Sequence, residues 1–131
     1  MNQPEYQAEI TFSGSPVIDI GSKGFEFKMD LDGEGIHPPD LLLAGLGSCV
    51  AVYARKYFRN VAEKPAGFKI KVWGDLDGEK GSYRFKKINV ELDLMGFAID
   101  EMHRNALQRF VENCPVDNTL KYPPEVELKL K

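Results

Sequence analysis

The chain has 131 residues, 43% hydrophobic and 28% charged, with a net charge of −3 and a pI near 5.4. These values fit one globular domain, 1–131, large enough to bury a core without staples, and they argue against a nucleic-acid binder, which needs a concentrated positive field. Residues 1–7 are polar and lack the basic start and apolar stretch of a secretory leader. The expected compartment is therefore the cytoplasm, where a cysteine pair is more often catalytic, redox-active or metal-binding than structural.

Three strands come first. Tyr6, Ala8, Ile10 and Phe12 alternate with polar residues, the period of a half-buried strand. Ser13-Gly14-Ser15-Pro16 makes a turn, 17–20 a brief second strand, and Gly21-Ser22-Lys23-Gly24 a second turn. Phe25, Phe27 and Met29 then alternate with Glu26, Lys28 and Asp30, and 30–35 reads as a loop.

The first helix starts near Pro38-Pro39-Asp40. Proline suits a first helical turn, and Asp40 faces the positive end of the helix dipole. Arg55, Lys56 and Arg59 complement the other end. Over 41–54 the only clearly polar side chain is Ser48. That run has 14 residues, short of the roughly 20 a membrane span needs, so a long buried central helix is expected and no membrane partner. A helix apolar on all sides must be covered all round. One small sheet covers one side, and a second subunit is the simplest cover for the other, so a homodimer is expected.

Phe68, Ile70, Val72 and Leu76 mark the next strand. A hairpin loop, 77–81, leads to Phe85 and the set Ile88, Val90, Leu92 and Leu94. Phe85 is out of phase with that set, which predicts a bulge near Lys86-Lys87. A second helix is expected over 100–113, with a half-buried His103, and Pro115 ends it. Val126, Leu128 and Leu130 alternate with charged residues as a last strand. The order is β-β-β-α-β-β-α-β, an α+β domain with a mostly antiparallel sheet and two helices.

Two cysteines stand out, Cys49 and Cys114, with 64 residues between them. Cys49 shares a helix face with Leu42, Leu46 and Tyr53. Gly45, Gly47 and Ser48 leave little bulk around it. Each interior glycine costs roughly 1 kcal/mol against alanine, so another element or a substrate comes close there, or the site is plain helix packing. Cys114 precedes Pro115, which pushes its backbone out of helical geometry. Residues 115–120 can then form a short helical turn with Cys114 at its N-cap, where positive partial charge favours a thiolate; a bare helix terminator reads the same way. Zinc would need His37 and His103 as further ligands, in a spacing unlike known zinc motifs, so neither a metal nor an organic cofactor is expected.

The segment Pro39-Asp40-Leu41-Leu42-Leu43-Ala44-Gly45-Leu46-Gly47-Ser48-Cys49 resembles the first cysteine motif of the OsmC/Ohr family of osmotically inducible proteins and organic hydroperoxide reductases. Asn113-Cys114-Pro115-Val116-Asp117-Asn118-Thr119-Leu120 resembles the second. The resemblance implies an intertwined homodimer in which Cys49 attacks the peroxide and Cys114 resolves the sulfenic acid to a disulfide. A dithiol then restores both thiols. It also implies an arginine from the N-terminal part and a glutamate at the start of the first helix. Here no arginine precedes Arg55; Asp40 is the candidate acid, and Lys23 or Lys28 the nearest substitute for the arginine. Asp117 stands where many relatives carry histidine.

The expected function is thus a thiol-dependent peroxidase acting on organic hydroperoxides in oxidative-stress defence. The alternative is a non-catalytic binding module whose cysteines line an apolar interface pocket. A hot-dog fold also buries a long helix in a sheet, but three strands before the first helix argue against it.

Overall fold

A computed structural model describes residues 4–131; the first three residues of the polar N-terminal stretch lie outside the described residues. The described residues divide into two compact units, one ending at Leu41 and the other spanning 42–131.

The first unit is an antiparallel meander of β1 (Glu9–Thr11), β2 (Val17–Ser22) and β3 (Phe25–Asp30). Strand β1 is shorter than the alternation from Tyr6 to Phe12 predicts. The register pairs Ile10 with Ile20, Ile20 with Phe27 and Ile18 with Met29. Period-2 alternation therefore gathers these side chains on one face. Only Ile18 and Met29 are buried there, while Ile10, Phe25 and Phe27 stay exposed. Lys23 and Gly24, with φ of 53° and 83°, make the two-residue turn that suits the strand twist.

Helix α1 (Pro38–Arg59) begins at the end of this unit. Its start has the reaching-back half of a capping box, from Asp40 to His37. The His37 carbonyl accepts from the N–H groups of Asp40 and Leu41, and Asp40 Oδ2 accepts from the His37 N–H at 2.9 Å. These three bonds satisfy donors that a helix start otherwise leaves orphaned. The helix has 22 residues and is long and apolar enough, by length and composition alone, to cross a membrane. This exceeds the apolar run because the last turn is amphipathic: Ala54 and Phe58 are buried while Lys56 and Arg59 point away from the core.

In the second unit, one stripe of α1 packs on a two-stranded antiparallel sheet of β4 (Lys69–Trp73) and β7 (Asn89–Asp93). Ile70 pairs with Leu92 and Val72 with Val90. The single strand expected through Leu76 is instead two: β4 stops, and β5 (Leu76–Asp77) pairs with β6 (Arg84–Phe85). Gly74 lies at the break, where a Cβ would stand 2.7 Å from the Lys87 carbonyl oxygen. The opposite strand breaks at the same level: where a bulge near Lys86-Lys87 is expected, it divides into β6 and β7 (Asn89–Asp93), which pair with different partners.

Helix α2 (Glu101–Val111) starts at the N-cap Asp100, whose side chain accepts from the His103 N–H. His103 is exposed, not half-buried, because its Nδ1 turns back to the same carboxylate at 2.8 Å. A third helix follows at once, α3 (Pro115–Lys121). Leu46, Val50 and Cys114 form one buried cluster, and Ala54, Phe58 and Leu107 form another, with Val111 of α2 packed on both. The architecture is α+β with small antiparallel sheets and three helices.

One expected element forms no strand. Residues 123–131 pair with nothing among the described residues, and Val126, Leu128 and Leu130 are 87%, 82% and 94% exposed. A strand is defined by the neighbour that takes its N–H and C=O groups, and none of β1–β7 does so for this segment.

Candidate functional site

The sequence places Cys49 in the middle of α1, and packing decides which way it faces. Gly47 sits against β4, where a Cβ would lie 2.9 Å from Val72 Cγ2 and 3.7 Å from Ile70 Cγ2. What comes close at this glycine is therefore the sheet. That contact seats Leu46 and Val50 in the core and turns partly exposed Cys49 toward α3.

Cys114 arrives from the other side. Pro115 occupies the first helical position of α3, and Cys114 is its N-cap, as the proline predicts. The Asp117 N–H donates to Cys114 Sγ at 3.4 Å, and the Asn118 N–H donates to the Cys114 carbonyl at 3.0 Å. Cys114 is fully buried. The two cysteines form a disulfide, with Cα atoms 5.9 Å apart, inside the usual range for such a bond.

Asp117, already singled out in the second motif, is one half of an ion pair on α3 that sequence reasoning missed. Asp117 Oδ2 is shielded from solvent, and its partner is Lys121 Nζ at 2.8 Å, one turn along α3. The hydrogen bond to Asp117 holds the Lys121 ammonium above its ordinary pKa. The i, i+4 spacing of Asp117 and Lys121 was the available signal.

The remaining candidates have other engagements. Asp40 caps the start of α1 with its carboxylate. Nine residue steps along the helix separate it from Cys49, about 14 Å of rise. Lys28 is paired with Asp19, which raises its pKa, and Lys23 lies over the Tyr6 ring. Among the described residues, no group of three or more His, Cys, Asp and Glu side chains could hold a metal ion.

A cavity of about 640 Å³ opens between α1, β7, α2 and α3. Leu46, Val50, Leu92, Leu107 and Val111 make its apolar floor, and Asp93, Arg104, Glu112, Asp117 and Lys121 contribute polar groups. Neither cysteine is among its lining residues.

The family model described as OsmC-like protein matches residues 31–129, a span that holds both cysteines. The chain belongs to the OsmC-like family. Its fold is similar to that of an OsmC-like protein from Mycoplasma pneumoniae, with TM-score 0.75 and 19% identity over 92% of this chain and 89% of that one. It is also similar to an organic hydroperoxide resistance protein OsmC from Legionella pneumophila, with TM-score 0.63 and 17% identity over 92% of each chain. An OsmC-like hydroperoxide resistance protein from Jannaschia sp. CCS1 matches with TM-score 0.60 and 16% identity, over 96% of this chain and 91% of that one. At these identities the likeness shows a shared OsmC-like fold. No curated protein matches the sequence.

Proposed function

We propose that this OsmC-like protein is a cytoplasmic thiol-dependent peroxidase that reduces organic hydroperoxides. The observation that carries the reading is the disulfide between Cys49 and Cys114, two residues 65 positions apart in sequence, one partly exposed and one fully buried. The hydroperoxide resistance proteins among the structural relatives support the substrate class.

In the proposed cycle the Cys49 thiolate attacks one peroxide oxygen and the O–O bond breaks. The other oxygen leaves in the alcohol after taking up a proton, and Cys49 holds the attacked oxygen as a sulfenic acid. The Cys114 sulfur then displaces that oxygen as water, and the disulfide forms. A dithiol reductant returns both cysteines to thiols. Asp40 serves this cycle by fixing the start of the helix that carries Cys49.

The active form we propose is an intertwined homodimer. The exposed apolar residues Ile10, Phe25 and Phe27 of the first sheet, Leu42 and Val52 of α1, and the unpaired 123–131 segment all support a second copy as their cover.

The test is consumption of cumene hydroperoxide with a dithiol as electron donor. Cys49→Ser is expected to abolish turnover, and Cys114→Ser, assayed without the dithiol, to consume one equivalent and leave Cys49 as sulfenic acid. Wild-type turnover in Cys49→Ser would sink the proposal. A second reading, a non-catalytic binding module, is favoured by the cavity, whose lining holds no cysteine. Under it both thiols would titrate near the unperturbed value of roughly 8.5 and the wild type would not consume peroxide.

A further inference from the structure

The proposed cycle ends when a dithiol reopens the Cys49–Cys114 bond, and the two sulfurs of that bond are not equivalent. Cys114 is 0% exposed, clustered with Leu46 and Val50 and packed by Val111, Val116 and Leu120. Cys49 is partly exposed, next to exposed Ser48. An incoming thiolate must reach the sulfur it attacks from the side opposite the sulfur that leaves. Rates of exchange depend on access and on how stable the leaving thiolate is.

The geometry points to Cys49 as the sulfur the reductant attacks, with Cys114 as the leaving thiolate held by the Asp117 N–H. Access favours Cys49. Leaving ability favours Cys114, because the N–H that donates to its sulfur at 3.4 Å stabilises the charged form more than the neutral one. The Asp117 carboxylate, which would oppose a thiolate nearby, is neutralised by Lys121 at 2.8 Å. The cysteine that meets the peroxide is then also the one that meets the reductant, and Cys114 never leaves the core.

The step balances. One thiolate of the dithiol bonds to Cys49 Sγ as the Cys49–Cys114 bond breaks. The electron pair goes to Cys114 Sγ, which takes a proton. The reductant's second thiol, losing its proton, displaces Cys49 from the mixed disulfide. The reductant departs as a cyclic disulfide, and the protein has gained two electrons and two protons.

This inference takes its setting from the peroxidase reading, and its test is independent of it. The disulfide is formed with diamide, without peroxide, in the full-length protein. Oxidised protein is exposed briefly to glutathione, quenched in acid and blocked with N-ethylmaleimide. After trypsin, Cys49 lies on the 29–55 peptide and Cys114 on the 110–121 peptide. The glutathione adduct is expected on Cys49 and maleimide on Cys114, with an excess over the reverse pattern of roughly tenfold or more at the earliest times. An adduct on Cys114, an even split, or a disulfide that survives the thiol intact would each overturn the inference. Failure of the wild type to consume peroxide would sink the peroxidase reading and leave this assignment standing.

Discussion

Gly47 and Val72 hold helix and sheet at a distance that admits no side chain between them: a Cβ on Gly47 would stand 2.9 Å from Val72 Cγ2. Valine is stiff at χ1 and cannot swing away, so Gly47→Ala must push α1 off β4. The alanine gains about 1 kcal/mol of helix propensity, but overpacking costs about 1–3 kcal/mol. The expected outcome is a net loss of about 1 kcal/mol, read in urea unfolding. A second effect is specific to the site: moving α1 displaces Cys49 from Cys114, so disulfide formation under diamide should slow. An unchanged midpoint with an unchanged oxidation rate would show that the close approach does not position the cysteine.

Gly45, two residues earlier, is the control. A Cβ there meets nothing within 4 Å among the described residues. Gly45→Ala should therefore gain about 1 kcal/mol of stability from propensity alone. If a second copy packs against this part of α1, as the proposed dimer allows, the same substitution would weaken association instead. Unfolding midpoint and sedimentation, measured on one sample, separate the two outcomes.

The contrast between these glycines shows what a sequence can carry. Both are visible as small residues near a cysteine, yet only the fold reveals that Gly47 meets a sheet strand and Gly45 meets nothing. Local signals fared better. Pro115 narrows Cys114 to a helix N-cap or a bare terminator, because proline constrains the residue before it, and the structure has the N-cap. The phase change at Phe85 signals an irregularity near Lys86-Lys87, and there the structure has two separate strands, β6 and β7, in place of one bulged strand. The contact of Cys49 with Cys114 is long-range, and periodicity has no access to it; only the paired motifs of the family resemblance point there. The strand at 123–131 shows the opposite failure. Its alternation is as clear as that of β3, but a strand needs a neighbour to take its main-chain groups, and among the described residues none of β1–β7 does so.

The disulfide closes a long loop, and that makes stability depend on redox state. Constraining a loop of 65 residues removes unfolded-state entropy equivalent to roughly 4 kcal/mol in the chain-entropy model. Diamide-oxidised protein should thus resist urea more than reduced protein, with the difference absent in Cys114→Ser. Equal midpoints for oxidised and reduced wild type would mean the native state loses as much as the unfolded state on cross-linking.

Acid sensitivity should trace in part to Asp100. Its carboxylate caps α2 and accepts from both the backbone N–H and the ring of His103, and the backbone bond is the first cause holding its pKa below 3.8. A depressed folded pKa means stability that is present above the unfolded value and lost as pH falls through the folded one. Asparagine caps a helix about as well as aspartate and does not titrate. Asp100→Asn should therefore melt close to wild type at pH 7 and lose less on going to pH 3. Identical pH dependence in the two proteins would remove Asp100 as a contributor.

Leu128 tests the proposed dimer most directly. It is 82% exposed, between Val126 and Leu130 on one face of a segment whose alternation marks a strand. Such a segment is satisfied by adding to a sheet edge, where main-chain bonds hold it and alternate side chains enter apolar contacts. Burying one leucine is worth about 1.5–3 kcal/mol. Leu128→Glu should then raise the dimer dissociation constant by at least about tenfold, more if both copies contribute the residue symmetrically. Lys129→Glu changes charge on the opposite face and should leave association near wild type. Sedimentation velocity across a dilution series reads both. A wild-type protein that is monomeric at micromolar concentration would overturn the dimer, and a Lys129→Glu effect equal to that of Leu128→Glu would mean the segment does not bind as a one-faced strand.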